Sequence, residues 1–380
     1  MRVLVISHPA VAPAYRRKFE LIANDVELRL VVPNAWPEEA RRVVAAGQSL
    51  PDWTIPLPVA FEGYYTRYFY RSGLAEVFRT FRPDLVHIEE EPYSLSAGQA
   101  LWMTRRHARD ARFIFRTSLS AEIRLKSVAV PFLRFIERQV FARSDCVFVL
   151  SERAAEVMRL HGYRGATRVF PNGVDTRVFR PLSDAERSET RRALGLGEGP
   201  VVGFVGRLIS VKGIETLLEA VAALAETRGL IVGEGPHRVA LEAYAAELGV
   251  SERVRFVGSQ PPERVAGLLN AMDVFVLPSR TSPEWVEFFG RVAVEAMACG
   301  VPVVGSDSGE IPRTLGDAGL VFPEGDASAL ADCLTRILLD PALAATLRER
   351  GQERVSSLYA WEAVATRTVE AYRSVLSGDA

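Results

Sequence analysis

Val201-Val-Gly-Phe-Val-Gly-Arg-Leu-Ile-Ser-Val-Lys-Gly-Ile-Glu-Thr-Leu-Leu-Glu-Ala-Val-Ala-Ala-Leu-Ala-Glu-Thr227 decides the fold. An apolar run, Val201 to Val205, passes through a loop carrying Gly206, Arg207, Lys212 and Gly213 into a helical pattern from Ile214 to Thr227. An uninterrupted apolar strand followed by a helix marks a parallel sheet covered on both faces, because an alternating pattern is expected only where one face meets water.

The same unit repeats in both directions. In the second half strands are predicted at Leu230 to Val232, Val254 to Val257, Val274 to Leu277 and Val301 to Val304, with a helix at Arg238 to Leu248. In the first half they fall at Val3 to Ile6, Leu28 to Val32, Leu85 to Ile88, Phe113 to Phe115 and Cys146 to Leu150. This is an α/β chain of two doubly wound, Rossmann-like domains. A length of 380 residues suits two such domains. The Asn-Gly and two prolines of Pro171-Asn-Gly-Val-Asp-Thr-Arg-Val-Phe-Arg-Pro181 mark the junction, giving domains 1–175 and 176–360. In open α/β sheets ligands bind beyond the carboxyl ends of the strands, so two such domains are expected to face each other across a cleft that holds the chemistry.

Composition excludes disorder and a disulfide scaffold. The chain is 48% hydrophobic and has three cysteines, Cys146, Cys299 and Cys333, whose spacing fits neither a disulfide framework nor a zinc site. A reducing, cytoplasmic setting is expected. The first apolar run is too short for a secretion signal, and no apolar stretch reaches about 18 residues, which leaves no transmembrane helix to expect. The net charge of −1 conceals an asymmetry: residues 1–180 hold 27 basic and 19 acidic side chains, residues 181–380 hold 19 and 28. Only three of the 46 basic residues are lysine, namely Lys18, Lys126 and Lys212.

Two segments carry candidate chemistry. In Val205 to Gly213, Arg207, Lys212 and the backbone N–H groups of a loop entering a helix suit a diphosphate, although glycines that only make the turn are an equal reading of the motif alone. An ammonium is a compact point charge for phosphate, and a lysine is unusual here. In Glu287-Phe-Phe-Gly-Arg-Val-Ala-Val-Glu295 a helix beginning at Gly290 places Glu287 in the preceding loop and Glu295 inside the helix, where it suits vicinal hydroxyls of a ribose, although an isolated carboxylate pair is more often a solvated helix face. Ala296-Met-Ala-Cys-Gly-Val-Pro302 is small and apolar, and Cys299 reads as core.

Together, Gly206-Arg-Leu-(x)3-Lys-Gly213, Val232-Gly-Glu-Gly-Pro236, Val254-Arg-Phe-Val-Gly258, Asp273-Val-Phe-Val-Leu-Pro-Ser279, Glu287-(x)7-Glu295 and the Glu-Ala-Met-Ala-Cys-Gly-Val-Pro run resemble the family-4 retaining glycosyltransferases of GT-B fold, the glycosyl transferases group 1. The resemblance is dense over residues 172 to about 330 and includes Asn172-Gly-Val-Asp175. It implies that Arg207 and Lys212 bind the donor diphosphate, with Gly206 in the same loop. It implies that Glu295 holds the nucleotide ribose and that Glu287 stands near the transferred sugar and its leaving phosphate. The backbone of Phe288, Phe289 and Gly290 would face the sugar hydroxyls and phosphate, and Arg255, Phe256, Val257 and Gly258 would flank the base. A C-terminal helix, 361–376, would cross back to the first domain. The implied activity is retaining transfer of a hexosyl unit from a nucleoside-diphosphate sugar to a glycan or lipid-linked acceptor, as in bacterial envelope or exopolysaccharide synthesis. No cofactor is implied, and no metal, because no Asp-x-Asp motif is present and two cations meet the diphosphate. A GT-B nucleotide-sugar epimerase and a noncatalytic sugar-nucleotide-binding partner are the competing readings.

The first half departs from the family pattern. Many relatives have a Gly-Gly loop after the first strand and a histidine after a middle strand. Here Ser7-His-Pro-Ala-Val-Ala-Pro13 has no glycine, and the middle strand leads into Arg116-Thr-Ser-Leu-Ser120. His8, His87, Thr117 and Ser118 are therefore the acceptor-side candidates. Glu89-Glu-Glu91 either binds an acceptor hydroxyl or begins a helix. Tyr64 to Arg71 interleaves aromatics with arginines, and Ala121 to Arg143 mixes Arg124, Lys126, Arg134, Arg138 and Arg143 with apolar residues. Both suit peripheral contact with an anionic membrane at its inner face, or a helix with a solvated basic side. Nucleic acid is not an expected partner, because no recognised binding module is present.

Overall fold

The computed structural model of the chain describes residues 1–38, 41–45, 49–118, 130–283 and 285–379. It divides into two compact units, Met1–Pro171 with Trp361–Ala380, and Asn172–Ala360.

Unit 1 is built on a seven-stranded sheet. Its strands are β1 (Arg2–Ile6), β2 (Glu27–Pro33), β3 (Thr54–Leu57), β4 (Leu85–Ile88), β5 (Arg112–Thr117), β6 (Cys146–Val149) and β7 (Ala166–Val169), in the spatial order β7-β6-β5-β4-β1-β2-β3. All neighbours are parallel. The interior strands β4 and β6 are buried at every position, as their unbroken apolar sequences require. The C-terminal helix Trp361–Ser377 buries Val369, Tyr372 and Val375 in this unit's core. Arg168 reaches Ser374 at 2.7 Å and Arg17 reaches Glu362 at 3.2 Å to fix it.

Unit 2 has a six-stranded sheet of β8 (Val201–Val205), β9 (Arg228–Val232), β10 (Val254–Val257), β11 (Val274–Leu277), β12 (Val303–Ser306) and β13 (Gly319–Phe322), in the order β10-β9-β8-β11-β12-β13, again wholly parallel. The strand expected at Val301 begins two residues later, after Pro302, whose ring leaves no N–H for a ladder. The helix expected from Ile214 to Thr227 ends at Ala223, where Leu224 turns to an extended conformation.

The strand orders position the chemistry. In unit 1 the chain lays β2 and β3 to one side of β1 and then crosses to lay β4 to β7 on the other. In unit 2 β9 and β10 lie to one side of β8, and β11 to β13 to the other. Loops leaving the two strands at such a reversal diverge, and the crevice between them is where open α/β sheets take ligands. The reversal falls between β1 and β4 in unit 1, and between β8 and β11 in unit 2.

Candidate functional site

In unit 2 the two loops at the reversal are those that sequence analysis selects. After β8 the chain makes a 3-10 turn at Ser210–Lys212, and Gly213 adopts φ +61° to start the helix Ile214–Ala223. A Cβ at Gly213 would lie 2.1 Å from the carbonyl oxygen of Pro278, in the loop after β11, so only glycine lets the loops meet. Arg280 donates its backbone N–H to the Val211 carbonyl at 2.8 Å across the same contact. On the other flank Gly233, at φ +138°, allows the Gly206 carbonyl to within 1.9 Å of where a Cβ would stand, and Leu208 N–H donates to Glu234 O at 2.9 Å. The glycines of Val232-Gly-Glu-Gly-Pro236 thus brace the cation-bearing loop.

This bracing brings Lys212 and Glu287 together. Lys212 Nζ donates to Glu287 Oε2 at 2.5 Å and lies 4.7 Å from the centre of the Trp285 ring. Ser279 Oγ donates to the same carboxylate oxygen at 2.9 Å, and the Ser279 carbonyl accepts from Ser306 Oγ at 2.5 Å. Glu287 is buried, and its backbone carbonyl accepts from Glu310 N–H at 3.0 Å. Arg207 stands apart from this pair, exposed and without an ion pair to any described residue.

Gly290, at φ +75°, caps the helix Arg291–Ala298 with no side chain over its N-terminus. Among the described residues the N–H groups of Phe288, Phe289 and Gly290 make no backbone hydrogen bond, while the Phe289 carbonyl is taken by Thr314 Oγ1 at 2.6 Å. The segment therefore offers N–H donors, which suits an anion at a helix start. Glu295 lies on the buried side of the helix and pairs with Arg291 Nε at 2.9 Å. Burial raises its pKa, against the pull of Arg291. Cys299 is core, its thiol pushed up to about 12 by burial.

Arg255, Phe256 and Val257 belong to β10 at the sheet edge, with Arg255 exposed and the other two half-buried. Gly258 follows beside Glu234, where a Cβ would come within 2.8 Å of the carboxylate. Val257 and Gly258 stand at the carboxyl end of β10, on the β9 side of the reversal, whereas Arg255 lies near its start. Ser279 and Trp285 were missed as contributors. Ser279 has a sequence signal in its place two residues past a buried strand, whereas nothing in the pattern marks the ring of Trp285.

In unit 1 the reversal gathers most of the acceptor-side candidates. Glu89, Glu90 and Glu91 follow β4, and each holds a different partner. Glu89 pairs with Lys18 of the helix Pro13–Ile22 and accepts from Ser7 Oγ at 3.2 Å. Glu90 accepts from His8 Nδ1 at 2.7 Å, from the His8 backbone N–H at 2.8 Å and from the Tyr68 hydroxyl at 2.6 Å. Glu91 accepts from Thr117 Oγ1 at 2.5 Å and Ser118 Oγ at 3.1 Å. The alternative of a helix start is incorrect: the next helix, Leu95–His107, begins beyond Ser94, whose own side chain caps it. His8, Thr117 and Ser118 thus stand at the carboxyl end of the same sheet, after or at the end of β1 and β5.

His87 does not stand with them. It is wholly buried within β4, its Nδ1 2.6 Å from the Tyr372 hydroxyl. Burial drives its pKa down to about 3 despite nearby Glu89. Glu89 shows the opposite balance, since burial alone would raise it, but Lys18 and Arg116 hold it down to about 2. Of the two basic aromatic stretches, Tyr68 and Tyr70 are core whereas Tyr64 and Tyr65 are exposed. Arg124 and Lys126 lie outside the described residues. From Val130 on the second stretch is a helix, Val130–Arg143, that buries Leu133, Ile136 and Val140 and exposes Phe132 and Phe135.

Comparison with known proteins agrees with the topology. The family described as glycosyl transferases group 1 matches residues 186–354, and glycosyltransferase family 4 matches residues 18–178. The chain is 34% identical to a D-inositol 3-phosphate glycosyltransferase of Corynebacterium jeikeium, over 64% of this chain and 60% of that protein. It thus spans about three fifths of that relative's length. A protein of the same name from Nocardia farcinica is 34% identical over 77% of this chain and 67% of its own. Among solved structures, sucrose-phosphate synthase from Thermosynechococcus elongatus superposes with a TM-score of 0.69 at 26% identity, covering 99% of each chain.

Proposed function

The chain belongs to the glycosyl transferases group 1, and on that premise we propose that it transfers a hexosyl unit from a nucleoside-diphosphate sugar to a hydroxyl of a glycan or lipid-linked acceptor, with retention of configuration. The observation that carries this reading is the Lys212–Glu287 pair at the chain reversal of unit 2. As a sugar leaves a diphosphate, positive charge grows at its anomeric carbon and negative charge on the departing oxygen. A fixed cation and open N–H groups lower that barrier because they are oriented before the charge develops. Lys212 and Arg207 serve the diphosphate, and the N–H groups of Phe288 to Gly290 serve its oxygens. Glu287 positions and stabilises the sugar, and Glu295 holds the ribose. Arg255 to Gly258 flank the base. With two cations for the diphosphate no divalent metal is required, so transfer is expected to survive a chelator.

Acceptor binding belongs to unit 1, at the sheet end holding His8, Thr117 and Ser118. The relatives' names supply one acceptor to try, D-inositol 3-phosphate. The setting proposed is bacterial envelope or exopolysaccharide synthesis, with peripheral attachment at the inner face of the membrane. No helix among the described residues is long and apolar enough to cross a membrane.

Labelled UDP-, GDP- and ADP-hexoses, incubated with the protein and either D-inositol 3-phosphate or a bacterial envelope extract, test the proposal. Label in a new glycoside whose anomeric configuration matches the donor is the expected result. Interconversion of the donor sugar without acceptor would make the protein an epimerase, and binding without turnover a noncatalytic partner; either outcome ends the transferase reading.

A further inference from the structure

His8 is held in a way that ordinary packing does not need. A single carboxylate, Glu90, accepts from both its backbone N–H and its Nδ1, at 2.8 and 2.7 Å. The imidazole rests against Trp36, ring centres 4.7 Å apart, and meets the edge of Tyr68 at 5.7 Å. Tyr68 in turn donates to Glu90 at 2.6 Å, so the carboxylate, phenol and indole form one backing. Glu90 is 1% exposed at its side chain and His8 21%. One edge of the ring is thus fully engaged inside the unit. The other edge carries Nε2, which has no partner among the described residues, at the β1–β4 reversal where an α/β sheet takes its ligand.

The chemistry of the partners sets the tautomer. An ionised carboxylate only accepts, so Nδ1 carries a proton, and in the neutral ring Nε2 keeps its lone pair. A ring held this way accepts from a hydroxyl and offers nothing to a carbonyl or phosphate oxygen. We propose that His8 Nε2 receives the hydrogen bond of the acceptor hydroxyl that attacks the sugar, and that Glu90 is the positioning residue that fixes His8 in the tautomer able to do so. This rests on the transferase reading above and names the group it selects: a donating hydroxyl of a polyol or sugar ring, not a carbonyl or anionic oxygen. As the acceptor oxygen bonds to the anomeric carbon, the bond from that carbon to the diphosphate oxygen breaks and the hydroxyl proton passes to Nε2 and from the partly exposed ring to solvent, so His8 orients the hydroxyl and ends the step unchanged.

The pattern of bonds on Glu90 makes a sharp test available. Oε1 accepts two hydrogens, from the His8 N–H and the Tyr68 hydroxyl, whereas Oε2 faces Nδ1. In Glu90→Gln the amide oxygen is therefore retained at the Oε1 position, and the amide NH2 is turned toward Nδ1. Nδ1 must then accept, and the proton moves to Nε2. The variant keeps the volume and packing of Glu90 and reverses only what His8 offers to a ligand.

The experiment combines 15N NMR of the imidazole in the intact protein with acceptor kinetics in an envelope extract, for wild type, Glu90→Gln, His8→Ala and the double variant. Expected are an Nδ1–H tautomer in wild type, an Nε2–H tautomer in Glu90→Gln, and a loss of about ten- to a hundredfold in acceptor kcat/KM for either single variant, the range for a misplaced reacting group. Donor KM and nucleotide affinity stay unchanged. The double variant is no worse than His8→Ala, because Glu90 acts through His8. An Nε2–H tautomer in wild type, acceptor kinetics untouched by Glu90→Gln, or losses that multiply in the double variant would each overturn the proposal. If wild type transfers from no donor, the transferase reading fails by itself. The tautomer measurement still decides the His8–Glu90 arrangement, since it needs no turnover.

Discussion

Lys212 is held in place on two sides. Its ammonium lies between the Glu287 carboxylate and the Trp285 ring, so the entropy of a four-carbon stem is lost before any diphosphate arrives. Replacing it by alanine removes one preorganised charge, and a fall of about 10² to 10³ in the rate of transfer is expected. Activity near that of wild type would remove Lys212 from the diphosphate site. The other described lysine, Lys18, is buried against Glu89, with burial lowering its own pKa and Glu89 opposing that shift. Glu89 is held down from its ordinary value to about 2, so its contribution to stability is present above about pH 4.5 and is lost as the pH falls toward 2. Since burial penalises Lys18 while pairing favours Glu89, the net worth of the pair is small even though breaking it is costly. Lys18→Met, which takes from buried Glu89 its ion-pair partner and leaves it Ser7 Oγ and the more weakly acting charge of Arg116, is expected to cost about 3 to 5 kcal/mol in urea unfolding at pH 7. The same variant should become relatively more stable on acidification, as protonation relieves the stranded carboxylate. Equal losses at pH 5 and pH 8 would refute this account of the pair.

The elements that were legible are those whose sequence states their burial. The central strands β1, β4, β6, β8 and β11 are near-continuous apolar runs because helices cover both faces, and each was placed to within a residue. The three strands of the main sheets that were not anticipated, β3, β7 and β13, are all at edges and only partly buried. Thr54-Ile-Pro-Leu57 even contains a proline, which an edge tolerates and a central strand does not. In the same way the loop around Lys212 was legible from its glycines and cations. The grip of Glu90 on His8, over 82 residues, and of Tyr372 on His87, over 285, has no local trace. Gly213 tests the strand–loop–helix element as a unit. Its positive φ and the Pro278 carbonyl 2.1 Å from a Cβ mean that Gly213→Ala must push apart the loops carrying Lys212 and Glu287. A backbone cost of about 1 to 2 kcal/mol is expected from the left-handed conformation alone. That corresponds to a lowering of Tm by about 2 to 8 °C in a unit of this size. Affinity for UDP or GDP, read by calorimetry, should fall further than this strain explains; unchanged affinity would mean that the two loops do not bind the nucleotide together.

At the scale of the molecule, the two units differ in charge more than in architecture. Unit 1 contains 27 basic and 21 acidic side chains, and unit 2 contains 19 and 26. The excess of positive charge therefore accompanies the unit assigned to the acceptor, while the cations assigned to the donor sit in the acidic one. On the proposed assignment donor recognition needs only the local field of Lys212 and Arg207, but attraction to a membrane depends on the summed charge of a surface, at about 1 kcal/mol for each basic residue near anionic lipid. Unit 1 also exposes Phe132 and Phe135 one turn apart on the helix Val130–Arg143, with exposed Arg138 one turn further. Aromatic and basic groups on one face combine apolar insertion with electrostatic attraction, and the two contributions separate in salt. Sedimentation of the full chain with vesicles containing phosphatidylglycerol is expected at 50 mM salt and not with phosphatidylcholine alone. Raising the salt toward 1 M shortens the screening length from above 10 Å to about 3 Å and should release most of the protein. Phe132→Ser with Phe135→Ser should weaken binding at every salt concentration without altering its slope, because the phenyl rings act through area and not charge. Equal binding to neutral vesicles, or none to anionic ones, would assign the basic excess to a soluble anionic acceptor instead.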